Sequence, residues 1–188
     1  MNFIRTEISD VIVIEPKVYE DERGYFVETF RQDLLEEFLE EKVNFCQDNE
    51  SKSNKGVLRG LHYQLGAAAQ SKLVRVIQGK VLDVAVDIRK GSPTFGLHVS
   101  TVLSAQNKKQ MLIPKGFAHG FLVLEDDTIF AYKVDNYYSA KDDRGIAFDD
   151  KDLGIDWQMP IVELQLSSKD RVQPRFYEAE IFDYAMCP

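Results

Sequence analysis

The chain has 188 residues, 44% hydrophobic and 29% charged, the profile of a globular domain with a sizeable core. A formal net charge of -8 excludes a general nucleic-acid surface and leaves only local Arg and Lys clusters to receive an anion. Cys46 and Cys187 form no disulfide or metal pattern, no apolar run is long enough for a bilayer, and the N-terminus has no signal-peptide core; a single domain over 1–188 in a reducing cytoplasm, away from membranes, is expected.

The first clear period along the chain is helical. Leu34, Leu35, Phe38 and Leu39 follow the i, i+3/i+4 rule within 31–42, with acids on the other side. So short an amphipathic helix is expected to pack on the outside of β-structure. Next comes Gly56-Val57-Leu58-Arg59-Gly60-Leu61-His62-Tyr63-Gln64, which sets an imidazole among apolar and aromatic neighbours. Arg59 and His62 have opposite parity in a regular strand, so both face one side only if the strand bends, and Gly60 is placed to allow it. Residues 72–77 and 81–88 read as a hairpin around Gln78-Gly79-Lys80. In the first of these strands Lys72 shares a face with Val74 and Val76. In the second, Leu82, Val84, Val86 and Ile88 share one face, and Val81, Asp83, Ala85 and Asp87 the other.

Strands over 97–103, 110–113, 117–124 and 128–134 follow, with Pro114, Gly116 and Asp126-Asp127 in the turns. Phe117, His119, Phe121 and Val123 lie on one face, as do Thr128, Phe130, Tyr132 and Val134. The tail after Trp157 is polar and mixed, and is expected to wrap the rest. Many short strands with regular turns define an all-β fold, and a jelly-roll β-sandwich or barrel suits this length best.

His62 and His119 are two of three histidines. On apolar strands they read either as proton-transfer groups in a cavity or as satisfied core histidines. Lys72 is either an inward-facing ammonium or a rim residue reaching water. Tyr132 is either a proton donor or a core tyrosine with a partner for its hydroxyl. Asp170, in Ser167-Ser168-Lys169-Asp170, is either an imidazole's orienting carboxylate or a solvated surface group. No HxH pair, HExxH or paired cysteines occur, so a zinc or iron site is disfavoured. Glycine-rich phosphate motifs and a Ser nucleophile elbow are also lacking. Imidazole, phenol and ammonium together fit proton abstraction beside a carbonyl, with an oxyanion to stabilise.

Several motifs in order resemble those of the cupin-fold dTDP-4-dehydrorhamnose 3,5-epimerases, from about Ile14 to Arg171. They are Asp21-Glu22-Arg23-Gly24-Tyr25-Phe26 with Glu28-Thr29-Phe30, Gln47-Asp48-Asn49, the Gly56 to Gln64 run, Lys72-Leu73-Val74-Arg75-Val76, Asp83-Val84-Ala85-Val86-Asp87, Ile113-Pro114-Lys115-Gly116-Phe117-Ala118-His119-Gly120-Phe121, Tyr132-Lys133, Gly154-Ile155-Asp156-Trp157 and Ser168-Lys169-Asp170. The resemblance implies a homodimeric cupin-type jelly roll without metal or cofactor. It implies epimerisation of dTDP-4-keto-6-deoxy-D-glucose at C3 and C5, on the route to dTDP-L-rhamnose. By the same resemblance His62 is the base, oriented by Asp170, and Tyr132 is the acid on the opposite ring face. Lys72 stabilises the enolate, with His119 nearby. Arg23, Glu28, Gln47, Asn49, Arg59 and Lys169 are nucleotide and sugar contacts, as is Asp143.

Two departures stand out. Asp143 precedes Arg144-Gly145 where family members often carry glutamate. The loop Leu65-Gly66-Ala67-Ala68-Ala69-Gln70-Ser71 lacks the prolines common in the family. Rival readings are a mono-epimerase at C3 or C5 of another dTDP-4-keto sugar, a non-catalytic sugar-nucleotide-binding module and a metal-dependent cupin. A 3,4-ketoisomerase is disfavoured by the Arg23, Lys72 and Asp170 motifs.

Overall fold

The computed structural model describes residues 1–186; Cys187 lies outside the described residues, and Cys46 is an exposed free thiol. Strands β1 (Asn2–Arg5), β2 (Ile12–Glu15), β3 (Val18–Asp21) and β4 (Gly24–Val27) precede helix α1 (Gln32–Leu39). Then come β5 (Gln47–Ser53), β6 (Leu58–Gln64), β7 (Lys72–Gln78), β8 (Lys80–Asp87), β9 (Arg89–Lys90) and β10 (His98–Ser104). The series ends with β11 (Gln110–Ile113), β12 (Phe117–Val123), β13 (Thr128–Val134), β14 (Asp143–Gly145) and β15 (Phe182–Asp183).

Two sheets face each other. One has six strands in the order β1-β2-β11-β7-β13-β5, the other five in the order β10-β8-β12-β6-β14. Spatial neighbours far apart in sequence are what a jelly roll requires, and the fold is a cupin-type jelly roll. Between the sheets, Val74, Val76, Met111, Ile113 and Phe130 pack against Val81, Ala85, Phe117, Phe121 and Val123. The other face of the five-stranded sheet presents Leu82, Val84 and Val86 to Trp157, Leu164 and Phe176 of the tail. The tail therefore wraps the outside of that sheet, as its position after the last long strand suggested. Helix α1 covers the six-stranded sheet, where Leu35 packs with Ile12, Ile14, Leu73 and Leu112. It stops at Leu39 because Glu40 turns left-handed at φ 58°. No helix among the described residues is long and apolar enough to cross a membrane.

The alternation in β8, β12 and β13 assigns their faces as expected, since period 2 is a property of the strand itself. The expected hairpin is corrected. β7 pairs with β11 and β13, whereas β8 pairs with β10 and β12, so the two lie in different sheets. Gly79, at φ 79°, carries the chain around a corner between sheets. A Cβ there would lie 2.2 Å from the Thr128 hydroxyl oxygen, so only glycine fits. A tight turn looks alike in sequence whether its strands pair with each other or part into two sheets. Both strands here are interior and take both partners from elsewhere.

Strand β5 carried no apolar signal at all. Its sequence, Gln-Asp-Asn-Glu-Ser-Lys-Ser, alternates between part-buried and exposed positions at the edge of the six-stranded sheet. Charges on the outer positions suit an edge that must not pair further. The inner positions, Gln47, Asn49 and Ser51, sit opposite Val134, Tyr132 and Phe130.

Candidate active site

The site begins with an irregularity in β6. Where β6 pairs with β12, His62 stands opposite His119 and Arg59 opposite Phe121. Between these two pairs β6 carries one residue more than β12, so the register slips and Arg59 and His62 come to the same side. Gly60 takes φ 130°, and the Gly60–Leu61 peptide is cis. A Cβ on Gly60 would fall 2.5 Å from Gly120 Cα and 2.8 Å from the His119 carbonyl oxygen. Close backbone approach explains why glycine occupies both positions.

The bend opens onto a cavity of about 480 Å³, a volume typical of small-molecule sites. Arg59, His62, Lys72, His119, Tyr132 and Asp170 all line it. His62 projects from the five-stranded sheet and Tyr132 from the six-stranded sheet, so imidazole and phenol occupy opposite walls. Lys72, on β7 next to Tyr132's strand, reaches across and donates Nζ–H to the His62 carbonyl oxygen at 3.3 Å. An apolar side is formed by Val57, Leu58 and Phe121.

Each cavity histidine has its own carboxylate. His62 Nε2 lies 2.5 Å from Asp170 Oδ1. The Ser167 hydroxyl donates to Asp170 Oδ2 at 2.8 Å and accepts the Asp170 backbone N–H at 3.1 Å. Burial alone would raise the Asp170 carboxyl, but hydrogen bonds from His62 and Ser167 outweigh it and hold it below its ordinary value. An ionised Asp170 accepts a hydrogen bond from Nε2–H, which leaves Nδ1 as the basic nitrogen. In the second pair, His119 Nε2 lies 3.0 Å from both oxygens of Asp83. Burial pushes the His119 imidazole below its ordinary pKa, against the pull of Asp83. Its ring stacks with Phe130, and Phe130 with Phe121.

Burial draws the Lys72 ammonium down to about 8, with Asp83 and Asp143 only partly offsetting it. Burial also raises the Tyr132 phenol, while the Arg59 charge acts the other way. The phenol is therefore protonated at neutral pH and Lys72 largely so, the states needed for a donor and for an oxyanion partner.

The remaining expected residues are spread more widely. Gln47 and Asn49 share Tyr132's face and bond each other, Gln47 Nε2–H to Asn49 Oδ1 at 2.8 Å. Arg59 is fixed by the Ser53 hydroxyl, 2.9 Å from its terminal nitrogen. Asp143 accepts from Lys169 Nζ and, at 3.1 Å, from the Tyr138 hydroxyl. The aspartate thus does find partners where the family often has glutamate. Arg23 is not among the residues lining the cavity: it caps the exposed β3–β4 hairpin and pairs with Asp21 at 2.5 Å. Glu28 is likewise elsewhere, bonded to Arg31 at 3.3 Å.

Sequence reasoning passed over two residues of this constellation, Asp83 and Ser167. Asp83 was seen only as one position of an alternating strand, although an aspartate flanked on its face by Val81 and Ala85 needs a partner. Ser167 gave no signal beyond its motif. Among the described residues no group of three or more His, Cys, Asp or Glu side chains is arranged to hold a metal ion.

A jelly roll whose interior opens into a cavity with two imidazole–carboxylate pairs, a phenol and a buried ammonium defines an acid–base enzyme of the cupin type. The family model for dTDP-4-dehydrorhamnose 3,5-epimerase matches residues 5–178. A dTDP-4-dehydrorhamnose 3,5-epimerase of Shigella flexneri is 56% identical over 182 residues, covering 97% of this chain and 99% of its own. A crystallised dTDP-6-deoxy-D-glucose-3,5-epimerase of Legionella pneumophila, in complex with dTDP-4-keto-L-rhamnose, superposes with a TM-score of 0.93 at 48% identity, covering 97% of this chain and 98% of its own. A 3'-monoepimerase of Streptomyces bikiniensis, in complex with dTDP-quinovose, has a TM-score of 0.87 at 31% identity, over 92% of this chain and 86% of its own. The chain belongs to the dTDP-4-dehydrorhamnose 3,5-epimerase family.

Proposed function

We propose that this enzyme epimerises dTDP-4-keto-6-deoxy-D-glucose at C3 and C5 to give dTDP-4-keto-L-rhamnose. The observation that carries the reading is the set His62–Asp170, Tyr132 and Lys72 around one cavity, with base and acid on opposite walls. The 4-ketone makes the C–H bonds at C3 and C5 acidic. His62 takes a proton from one ring face, and the electron pair moves into an enolate whose oxygen is the former C4 carbonyl. The Lys72 ammonium stabilises that oxygen. The Tyr132 phenol then returns a proton to the opposite face, which inverts the carbon. Lys169 and Arg59 supply positive charge for the diphosphate, with Gln47, Asn49 and Asp143 as further contacts.

A mono-epimerase keeps its place as the second reading, because a 3'-monoepimerase shares this fold at a TM-score of 0.87. Turnover in deuterated water separates the two. Deuterium at both C3 and C5 of the product is expected; label at one carbon would establish the mono-epimerase, and none at all, with dTDP still bound, would remove catalysis.

The working unit in this proposal is a homodimer in the cytoplasm. Tyr19, Tyr25 and Phe26 are exposed on a hairpin that pairs with neither main sheet, which suits an arm reaching a second copy and would bring Arg23 and Glu28 into use. Sedimentation at micromolar concentration tests this: a monomer would refute it.

A further inference from the structure

Gln64 lies two residues beyond His62 on β6 and is almost fully buried, yet it touches no part of the cavity. Its side-chain amide is saturated by backbone from two loops. Nε2 donates to the Ala68 carbonyl at 2.7 Å and to the Tyr137 carbonyl at 3.2 Å, and Oε1 accepts the Ser139 N–H at 2.6 Å. Further hydrogen bonds tie the same two loops. Gln70 donates to the Asn136 carbonyl, Asn136 donates to the Ala67 carbonyl, and Asp135 accepts the Ser71 N–H, each at 2.7 Å.

These ties stand where the local sequence offers no stiffness of its own. The loop from Leu65 to Ser71 has three alanines and no proline, so nothing in its covalent structure restricts it. One of the loops runs into Lys72, and the other carries Tyr138 and runs into Asp143. Asp143 in turn holds both the Tyr138 hydroxyl and the Lys169 ammonium. Register completes the connection, because Asp143 pairs directly with Gln64 across β14 and β6.

We propose that Gln64 is a positioning residue whose amide clamps the two loops together, so that the Asp143–Lys169 edge is set in advance for the anionic part of the substrate. The inference rests on the sugar-nucleotide reading above. Its energetic content is preorganisation: ordering that edge is completed on folding rather than on binding. Removing the amide leaves two carbonyls and one N–H without their partner and lets the loops separate. Binding then weakens while the His62–Asp170 pair, held by Ser167 and by the β6–β12 pairing, keeps its geometry.

Gln64→Leu and Asn136→Ala test this, with the Kd of dTDP by calorimetry and kcat by turnover. The expected result for Gln64→Leu is about tenfold weaker dTDP with kcat down by no more than about threefold. Asn136→Ala, which removes the bonds to the Ala67 and Ala69 carbonyls but keeps Gln64, is expected to weaken dTDP about threefold and serves alone if Gln64→Leu does not fold. A merely structural role lowers the melting temperature and the active fraction but leaves the Kd of folded molecules unchanged. Unchanged dTDP affinity in the folded variants therefore overturns the proposal, as does a fall in kcat without a change in Kd. Failure of the wild-type protein to bind dTDP would instead sink the sugar-nucleotide reading, and this inference with it.

Discussion

The molecule contains the same chemical pair twice, in two different settings. His62 and Asp170 meet across 108 residues of sequence, with the imidazole side chain 31% exposed to the cavity and the carboxylate 3% exposed. His119 and Asp83 come from adjacent strands, β12 and β8, and are 7% and 0% exposed. The first pair has an open nitrogen and room for a reacting carbon. The second is closed in by Phe121 and Phe130, and burial keeps its imidazole neutral. Two imidazole–carboxylate pairs whose histidines stand directly opposite each other across β6 and β12 therefore differ in access, and access decides which can exchange protons with a substrate. The buried pair does something else. Its Asp83 charge acts on Lys72, opposing the burial that would strip that lysine of its proton.

This contrast breaks if the two pairs respond alike to mutation. The largest effect is expected for His62→Ala: kcat falls about 10³-fold and deuterium incorporation stops at both carbons. Asp170→Asn comes next. Loss of the carboxylate removes the anchor for Nε2–H, and kcat is expected to fall about 10²-fold, read by single-turnover kinetics. Tyr132→Phe sharpens the assignment of the opposite wall. A fall in product of about 10²-fold, with His62-dependent exchange of substrate protons surviving, is the expected pattern. If exchange and product formation vanish together, the phenol is not a separate acid.

For the closed pair the order reverses, and stability suffers more than chemistry. His119→Ala leaves Asp83 buried without its partner and opens space beside Phe130. Urea unfolding is expected to show a loss of about 3 kcal/mol. The folded fraction should retain far more activity than His62→Ala. The smallest effect concerns pH. Lys72 must be charged to stabilise an enolate, and burial has brought it down to about 8. Its positive charge is present below that value and is lost as pH rises through it. The rate is therefore expected to decline above about pH 8, and Lys72→Arg, which stays charged, should lack that decline while running more slowly at neutral pH.

How legible this was in the sequence varies by residue. His119 and Tyr132 were assigned inward faces because each shares parity with large apolar neighbours, whereas Lys72, on a face with Val74 and Val76 at the start of its strand, stood between the interior and the rim. Arg59 and His62 needed a bend, and Gly60 marked where it falls. Asp170 had no such support from its surroundings, lying in a polar tail, and only the family motif connected it to His62. Asp83 was overlooked because its partner is set by pairing between β8 and β12, which no local pattern reveals. Strand β5 was invisible for a related reason: its inner positions, Gln47, Asn49 and Ser51, are polar and only part-buried, so no apolar alternation marks it.

The sequence by itself determined the class of fold, the helix and its buried face, and the side to which most strand residues point. These follow from period and parity, which are properties of a single segment. Tertiary structure alone decided which strands share a sheet, that the turn at Gly79 divides two sheets, and which carboxylate serves which histidine. The physical reason is that pairing and burial depend on contacts between segments far apart in the chain. A strand carries its own periodicity, but its neighbours are chosen only when the sheets close over their common core.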